Sequence, residues 1–300
     1  MTESSAHSPS SHRRLGLTLV TSAAVAWSLS GVFVRLIHVD TYTMVAWRGL
    51  IGALGLACVM PFMGQTNVIA AVRAMGWRGW LFVFLSTAGM LCFLSALKHT
   101  SIANVAVIYA TAPFMAGGLS WWLIRERPGK AALIASGFAL FGVALIVGFG
   151  EAGNLYGDLL ALVMTLSMAI AAVVARTYRN IPILVTACLS SFLSAAVTWP
   201  LGDPMHIPLR DFAIVALFGL MNFAIGLPLY SFGARHLPAI ETALIGAVES
   251  PLAPLWAWLA FGEVPGRSTL VGGSIVFLAV AAHFVHTELQ LHRNSGGAGP

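Results

Sequence analysis

Charge is what this sequence has least of. Only 9% of its 300 residues are Asp, Glu, Lys or Arg, and 58% are hydrophobic, whereas a soluble domain carries roughly 25% charged residues. A soluble fold of this size could not bury so much apolar surface, so the natural solvent is a lipid bilayer. The formal net charge of +5 is too slight to suggest a nucleic-acid partner. Cysteine is scarce as well. Cys58, Cys92 and Cys188 each lie inside an apolar run, at spacings that make neither a zinc pattern nor a disulfide framework, so they read as small packing residues. No phosphate-binding loop of the Walker type is present, which removes an ATP-driven step. No His, Asp or Glu pair with metal-ligand spacing lies within an apolar run. An enzyme, a metal and a cofactor are therefore not expected.

Long apolar runs are what the sequence does have. A spanning helix needs roughly 20 apolar residues, and ten such segments fall near 15–37, 41–63, 76–97, 101–124, 130–149, 155–176, 182–200, 211–233, 238–261 and 266–287. Short connections rich in Gly, Pro or charge join them. Arg13-Arg14 ahead of the first run has the look of a twin-arginine signal, but the run is too long for a signal core and no cleavage site follows it. Residues 1–14 read as a disordered cytoplasmic start and 288–300 as a disordered cytoplasmic tail.

One block is written twice, 137 positions apart. Lys98-His99 returns as Arg235-His236, Ala106 and Ile108 as Ala243 and Ile245, Trp121 as Trp258, and Glu126 to Lys130 as Glu263 to Arg267. The halves are then 15–150 and 151–287. With the N-terminus inside, eleven Lys or Arg residues fall in cytoplasmic segments and four, Arg35, Lys98, Arg210 and Arg267, in external ones, which places both termini in the cytoplasm. Each half holds five spans, and five is odd, so the second half enters the membrane inverted. The expected fold is an all-α integral membrane protein of ten transmembrane helices in two inverted five-helix repeats, in the inner (plasma) membrane. Repeats of this kind commonly underlie alternating access around a midplane site.

The duplicated five-span unit, Ala46-Trp47-Arg48-Gly49-Leu50 in the second span, and the stretches from Pro113 to Glu126 and from Glu249 to Glu263 resemble the EamA-type carriers of the drug/metabolite transporter superfamily. The resemblance covers roughly residues 15–287. One departure is that Ser250-Pro251 stands where the family usually places Pro directly after Glu. Within the superfamily the chain is similar to bacterial exporters of amino acids, including aromatic ones. The resemblance implies a secondary transporter for small amphipathic metabolites. A proton-coupled multidrug antiporter is the alternative. Antiporters of that kind in the superfamily rely on an acid in the first span, and residues 15–37 contain none.

Candidate site residues come from departures within the spans. A mid-helix Pro frees the carbonyl four residues back, and interrupted helices at matched positions point to a carrier's binding site. Pro113 in span four matches Pro251 and Pro254 in span nine, and Pro228 interrupts span eight. A plain packing kink is the other reading of each. Intramembrane charges face a cavity or a partner. Glu249 either meets a cationic substrate group or a proton, or serves as a structural hydrogen-bonder; Arg48 either meets a carboxylate, or snorkels outward or pairs internally. Glu241 reads as an acid at the cytoplasmic start of span nine. Thr21, Ser28 and Arg35 recur every seven residues, as do Asn104 and Thr111, and Thr242 and Glu249; Asn222 and Tyr230 share nearly one side of span eight. Such polar faces line a cavity or bond between helices. Trp27, Tyr109 and Tyr230 lie deep enough to stack on a flat substrate. The substrate-binding set is thus Trp27, Ser28, Arg48, Asn104, Tyr109, Asn222, Tyr230 and Glu249. His283 reads as a satisfied hydrogen-bonder. Gly49, Gly52 and Gly55, with Gly272 and Gly273, read as close helix packing. The expected partners are a small-molecule substrate and membrane lipid, and the short loops are compatible with a monomer.

Overall fold

The computed structural model describes residues 9–65, 67–124, 130–149, 154–178, 181–237, 242, 245–246 and 248–296. Most of the duplicated Glu126 to Lys130 segment, and Glu241, lie outside them, as does the His283 side chain. Among the described residues every regular element is helical. Seven helices are long and apolar enough to cross a membrane: Arg13–Leu36, Thr41–Met63, Gly76–His99, Ile102–Trp122, Leu155–Ala175, Ile183–Leu201 and Leu209–His236. Shorter apolar helices, Ile134–Leu145, Leu252–Phe261 and Arg267–Ala279, fall inside the other three expected spans. Large apolar side chains such as Phe62, Trp122 and Leu209 stand exposed along these helices, as lipid-facing groups would.

Helix boundaries follow local chemistry. Asp40 caps α3 (Thr41–Val59), accepting from the Thr43 backbone N–H at 2.9 Å. Burial pushes the Asp40 carboxyl up, but its hydrogen bonds from Thr43 and Tyr42 outweigh this and hold it below the usual carboxylate range. Ser101 caps α6 (Ile102–Tyr109) and Asn154 caps α9 (Leu155–Thr177) in the same way. Gly262, at φ +66°, closes α13 (Glu249–Phe261) in the left-handed region that favours glycine.

The chain forms two compact units, Met1–Ala70 with Ala187–Trp256, and Ala71–Thr186 with Ala257–Pro300. Each takes helices from both sequence halves. In the first unit, α1 (Pro9–Ser28) packs along α12 (Leu227–Gly233), and α3 packs on α11 (Leu209–Gly219). In the second, α5 (Gly76–His99) packs along α9, and α8 (Lys130–Phe149) along α14 (Arg267–Gly296).

Small residues permit this packing. A Cβ on Gly49 would lie 2.5 Å from the Ser191 carbonyl oxygen, and one on Gly52 2.5 Å from the Phe223 ring. The Ser191 hydroxyl donates to the Gly49 carbonyl at 3.1 Å. In the second unit, Gly273 meets Val107, and the Gly272 carbonyl oxygen sits 2.6 Å from where a Gly142 Cβ would stand. Gly49→Ala should therefore lower stability by about 1–3 kcal/mol, because backbone cannot yield as a side chain can. Thermal unfolding in detergent measures this, with Gly117→Ala, whose Cβ meets nothing within 4 Å, as the control.

Candidate functional site

The first span is two helices. α1 ends at Ser28 and α2 (Ser30–Leu36) begins after a turn at Leu29. The hydroxyls of Ser28 and Ser30 donate back to the carbonyls of Val25 (2.7 Å) and Trp27 (2.6 Å). Back-bonding of this sort bends helices. The break parts Arg35, in α2, from Thr21 and Ser28, in α1; of these two, Thr21 is exposed and Ser28 buried. It also sets Trp27 against the eighth span, which is irregular in its own way. Residues Leu220–Gly226 form a π-helical segment ahead of α12. Pro228 lacks an N–H, so the α pattern fails there, and the Leu227 N–H bonds five residues back to the Asn222 carbonyl. Single π turns inside α-helices are frequent at functional sites.

Trp27 is fastened to this irregularity. Its indole N–H donates to the same Asn222 carbonyl at 3.1 Å. Its ring lies 5.2 Å from that of Tyr230, tilted by 39°. Gly226 makes the room, since a Cβ there would stand 2.6 Å from the Trp27 Nε1. The Trp256 indole donates to the Ser28 hydroxyl at 2.9 Å. Glu249 occupies the first turn of α13, where the helix dipole favours an acid and where Pro251 needs no N–H partner. The Tyr230 hydroxyl lies within electrostatic reach of the Glu249 carboxylate. A Trp-Tyr pair whose Tyr lies near a carboxylate is a setting suited to an ammonium group on an apolar body.

Ser28 and Asn222 are both hydrogen-bonded within their unit. The Ser28 hydroxyl is already bonded on both sides. The Asn222 amide donates to the Phe218 carbonyl at 3.3 Å and accepts from Ser30 at 3.4 Å. Both side chains bond within the unit, and it is the Asn222 backbone carbonyl that takes the Trp27 indole. Arg48 is buried rather than reaching outward. It is 4% exposed, and its guanidinium lies over the rings of Phe218 (4.4 Å) and Phe223 (5.0 Å). Its Nε and Nη1 are buried with no hydrogen-bond partner among the described residues.

Asn104 and Tyr109 belong to the second unit. Asn104 is fully buried, and its amide donates to the Asp158 carboxylate at 3.1 Å and accepts from the Thr269 hydroxyl at 2.5 Å. Thr100 donates to the same Asp158 oxygen at 2.6 Å. Both ends of the amide are thus engaged in a network joining α5, α6, α9 and α14, which is the interhelical bonding that a polar helix face also allows. Tyr109 is the last residue of α6, half exposed, just before the interruption that separates it from α7 (Ala112–Ile124).

Sequence reasoning passed over Ser30, Phe218, Phe223, Asp158 and Thr269. One signal was available for Asp158, an acid four residues into an apolar run, to which the rule for intramembrane charges applies. No sequence signal marks a Phe as the lid over an Arg.

Comparison with known proteins agrees with this architecture. The sequence profile of the EamA-like transporter family matches residues 14–148 and again residues 155–284. The chain is 25% identical over 278 residues to the uncharacterized transporter YwfM of Bacillus subtilis, covering 87% of this chain and 90% of that one. It is 24% identical over 282 residues to an uncharacterized transporter of Archaeoglobus fulgidus, covering 89% and 95%. A solved crystal structure shares the fold with a TM-score of 0.60 at 20% identity, over 92% of this chain and 96% of that one.

Proposed function

The chain belongs to the EamA-like transporter family, and we propose that within it the protein is a secondary carrier exporting small amphipathic metabolites, amino acids including aromatic ones, by alternating access. It is a multi-pass membrane protein and a transporter rather than an enzyme. The observation that carries the substrate reading is the set of Trp27, Tyr230 and Glu249, with Trp27 bonded to the Asn222 backbone carbonyl, at a broken helix, a π segment and a helix start. Interrupted helices of this kind build carrier sites. Rings take an apolar body, and the carboxylate takes an ammonium group.

The alternating-access part is our reading of the two halves as inverted repeats. The family profile matches once in each half, and five spans per half, if each apolar run crosses, would require inversion. The packing pairs also suit exchange of the halves. Span three packs on span six as span eight does on span one, and span five packs on its own twin, span ten. The excess of Lys and Arg on one side supports both termini in the cytoplasm of the inner membrane.

Flux of a labelled amino-acid panel from proteoliposomes, with and without a pH gradient, tests the reading. Saturable flux of bulky apolar amino acids is the expected result; no flux for any of them, in folded protein, would sink it. If protons are coupled, they run through Glu249, the one acid of the cluster. Glu249→Gln should then remove the gradient dependence while leaving exchange without a gradient. Unchanged gradient dependence in that variant excludes proton coupling at Glu249.

A further inference from the structure

We propose that Arg48 is an anion site whose ligand is a carboxylate, and that the carrier's substrates bring that carboxylate with them. The argument starts from an unbalanced charge. A buried guanidinium in a membrane protein is costly unless paired and hydrogen-bonded. Arg48 is almost wholly buried, and two of its three nitrogens lack any partner among the described residues. Facing aromatic rings stabilise the cation partly, but a ring supplies no acceptor in the guanidinium plane.

The surroundings hold the group rather than quench it. Phe218 is fully buried and stacked on Phe33 at 5.1 Å, with the planes 11° apart. Phe223 lies within the π segment. The backbone of α3 is locked to α11, for a Cβ on Gly219 would stand 2.7 Å from the Arg48 carbonyl oxygen. A planar fork lying over two rings, with its Nε and Nη1 unbonded, is preorganised for the planar anion it matches best, a carboxylate.

Arg48 also shares its support with the aromatic cluster. The stretch 218–223 carries both rings over Arg48 and the Asn222 carbonyl that takes the Trp27 indole. An acid-and-ring setting for an ammonium group and a guanidinium for a carboxylate thus flank one segment of the eighth span. Together they select a zwitterion over a simple amine. This assignment rests on the carrier reading only for the origin of the carboxylate.

The test is binding to the purified full chain in detergent, read as a thermal shift and so independent of transport. Ionic strength is held constant with sodium sulfate. The probes are sodium 3-phenylpropanoate, the matching alcohol 3-phenylpropan-1-ol, and sodium chloride. The carboxylate should raise the melting temperature saturably, and the alcohol should not. Arg48→Gln should weaken the carboxylate effect by at least about thirtyfold, the loss expected when one partner of a buried charge pair is removed. Arg48→Lys should retain part of it. Equal shifts from carboxylate and alcohol overturn the proposal with wild-type protein alone, even if the Gln variant does not fold. A chloride shift matching that of the carboxylate overturns the substrate-carboxylate assignment in favour of a resident inorganic anion. If the carboxylate binds but no amino acid crosses the liposome membrane, the carrier reading fails and the anion site stands.

Discussion

Trp27→Ala is expected to raise the apparent KM for the best transported amino acid by at least about tenfold and to lower stability by about 2–4 kcal/mol. The substitution removes three things together. It takes away the ring that faces Tyr230, the indole donor to the Asn222 carbonyl, and the filler of the space that Gly226 leaves. An aromatic pair is worth about 0.5–1.5 kcal/mol beyond its buried area, and a typical hydrogen bond about 0.5–1.5 kcal/mol net. Trp27→Phe separates these parts. It keeps a ring and loses the donor, so it should cost about 1 kcal/mol in stability and leave most transport intact. Initial rates in proteoliposomes and thermal unfolding of the same preparations read both effects. A KM unchanged in Trp27→Ala would remove the indole from the binding face.

Asp158→Ala should be the most destabilising change in the second unit, at about 2–5 kcal/mol. Its carboxylate is 2% exposed and receives the Thr100 hydroxyl and the Asn104 amide. Removing it takes the shortest acceptor from two buried donors and leaves the Asn104 amide the longer bond to the Thr100 hydroxyl at 3.4 Å, at about 1–3 kcal/mol for each weakened donor. Asn104→Leu should follow it closely, because it breaks the same network from the middle, and in both variants the KM of whatever folds should stay near that of the wild type. An Asn104 variant that kept its stability and lost substrate affinity would place Asn104 in the binding site. Thermal unfolding paired with transport kinetics decides between the two.

Much of the fold was legible because membrane solvation is a strong constraint. Ten apolar runs, a repeat at 137 positions and punctuation by Gly and Pro leave few other arrangements. Seven spanning helices and three shorter apolar ones fall where those runs lie. The interruption before Pro113 and the helix start at Glu249 were foreshadowed by proline, which has no N–H to give. The glycine stripe of the second span was legible for a similar reason, since only a missing Cβ lets backbones touch.

The site was legible only in part. Charge and aromatic rings at depth drew attention to Trp27, Tyr230, Glu249 and Arg48, on which the proposed site is built, but periodicity could not tell a cavity face from a bonded one. Asn104 and Thr111 share a helix side, yet Asn104 is saturated by Asp158 and Thr269, which lie 54 and 165 residues away in sequence. The stripe through Thr21 and Ser28 assumed a straight helix and met a break at Leu29. The π segment had one local sign, Pro228, which announces a lost hydrogen bond without saying how the neighbouring carbonyls will be shared. Compact units that mix the two halves were not legible either, because that pairing depends on contacts between distant segments.

Substrate counterflow bears most directly on the central claim. Proteoliposomes are loaded with an unlabelled aromatic amino acid, and a trace of the labelled form is added outside. A carrier that alternates around a site at Trp27, Tyr230 and Glu249 predicts a transient accumulation of label above equilibrium, absent from empty liposomes and strongly reduced in Trp27→Ala. Folded wild-type protein that shows no such overshoot with any amphipathic amino acid would contradict the account.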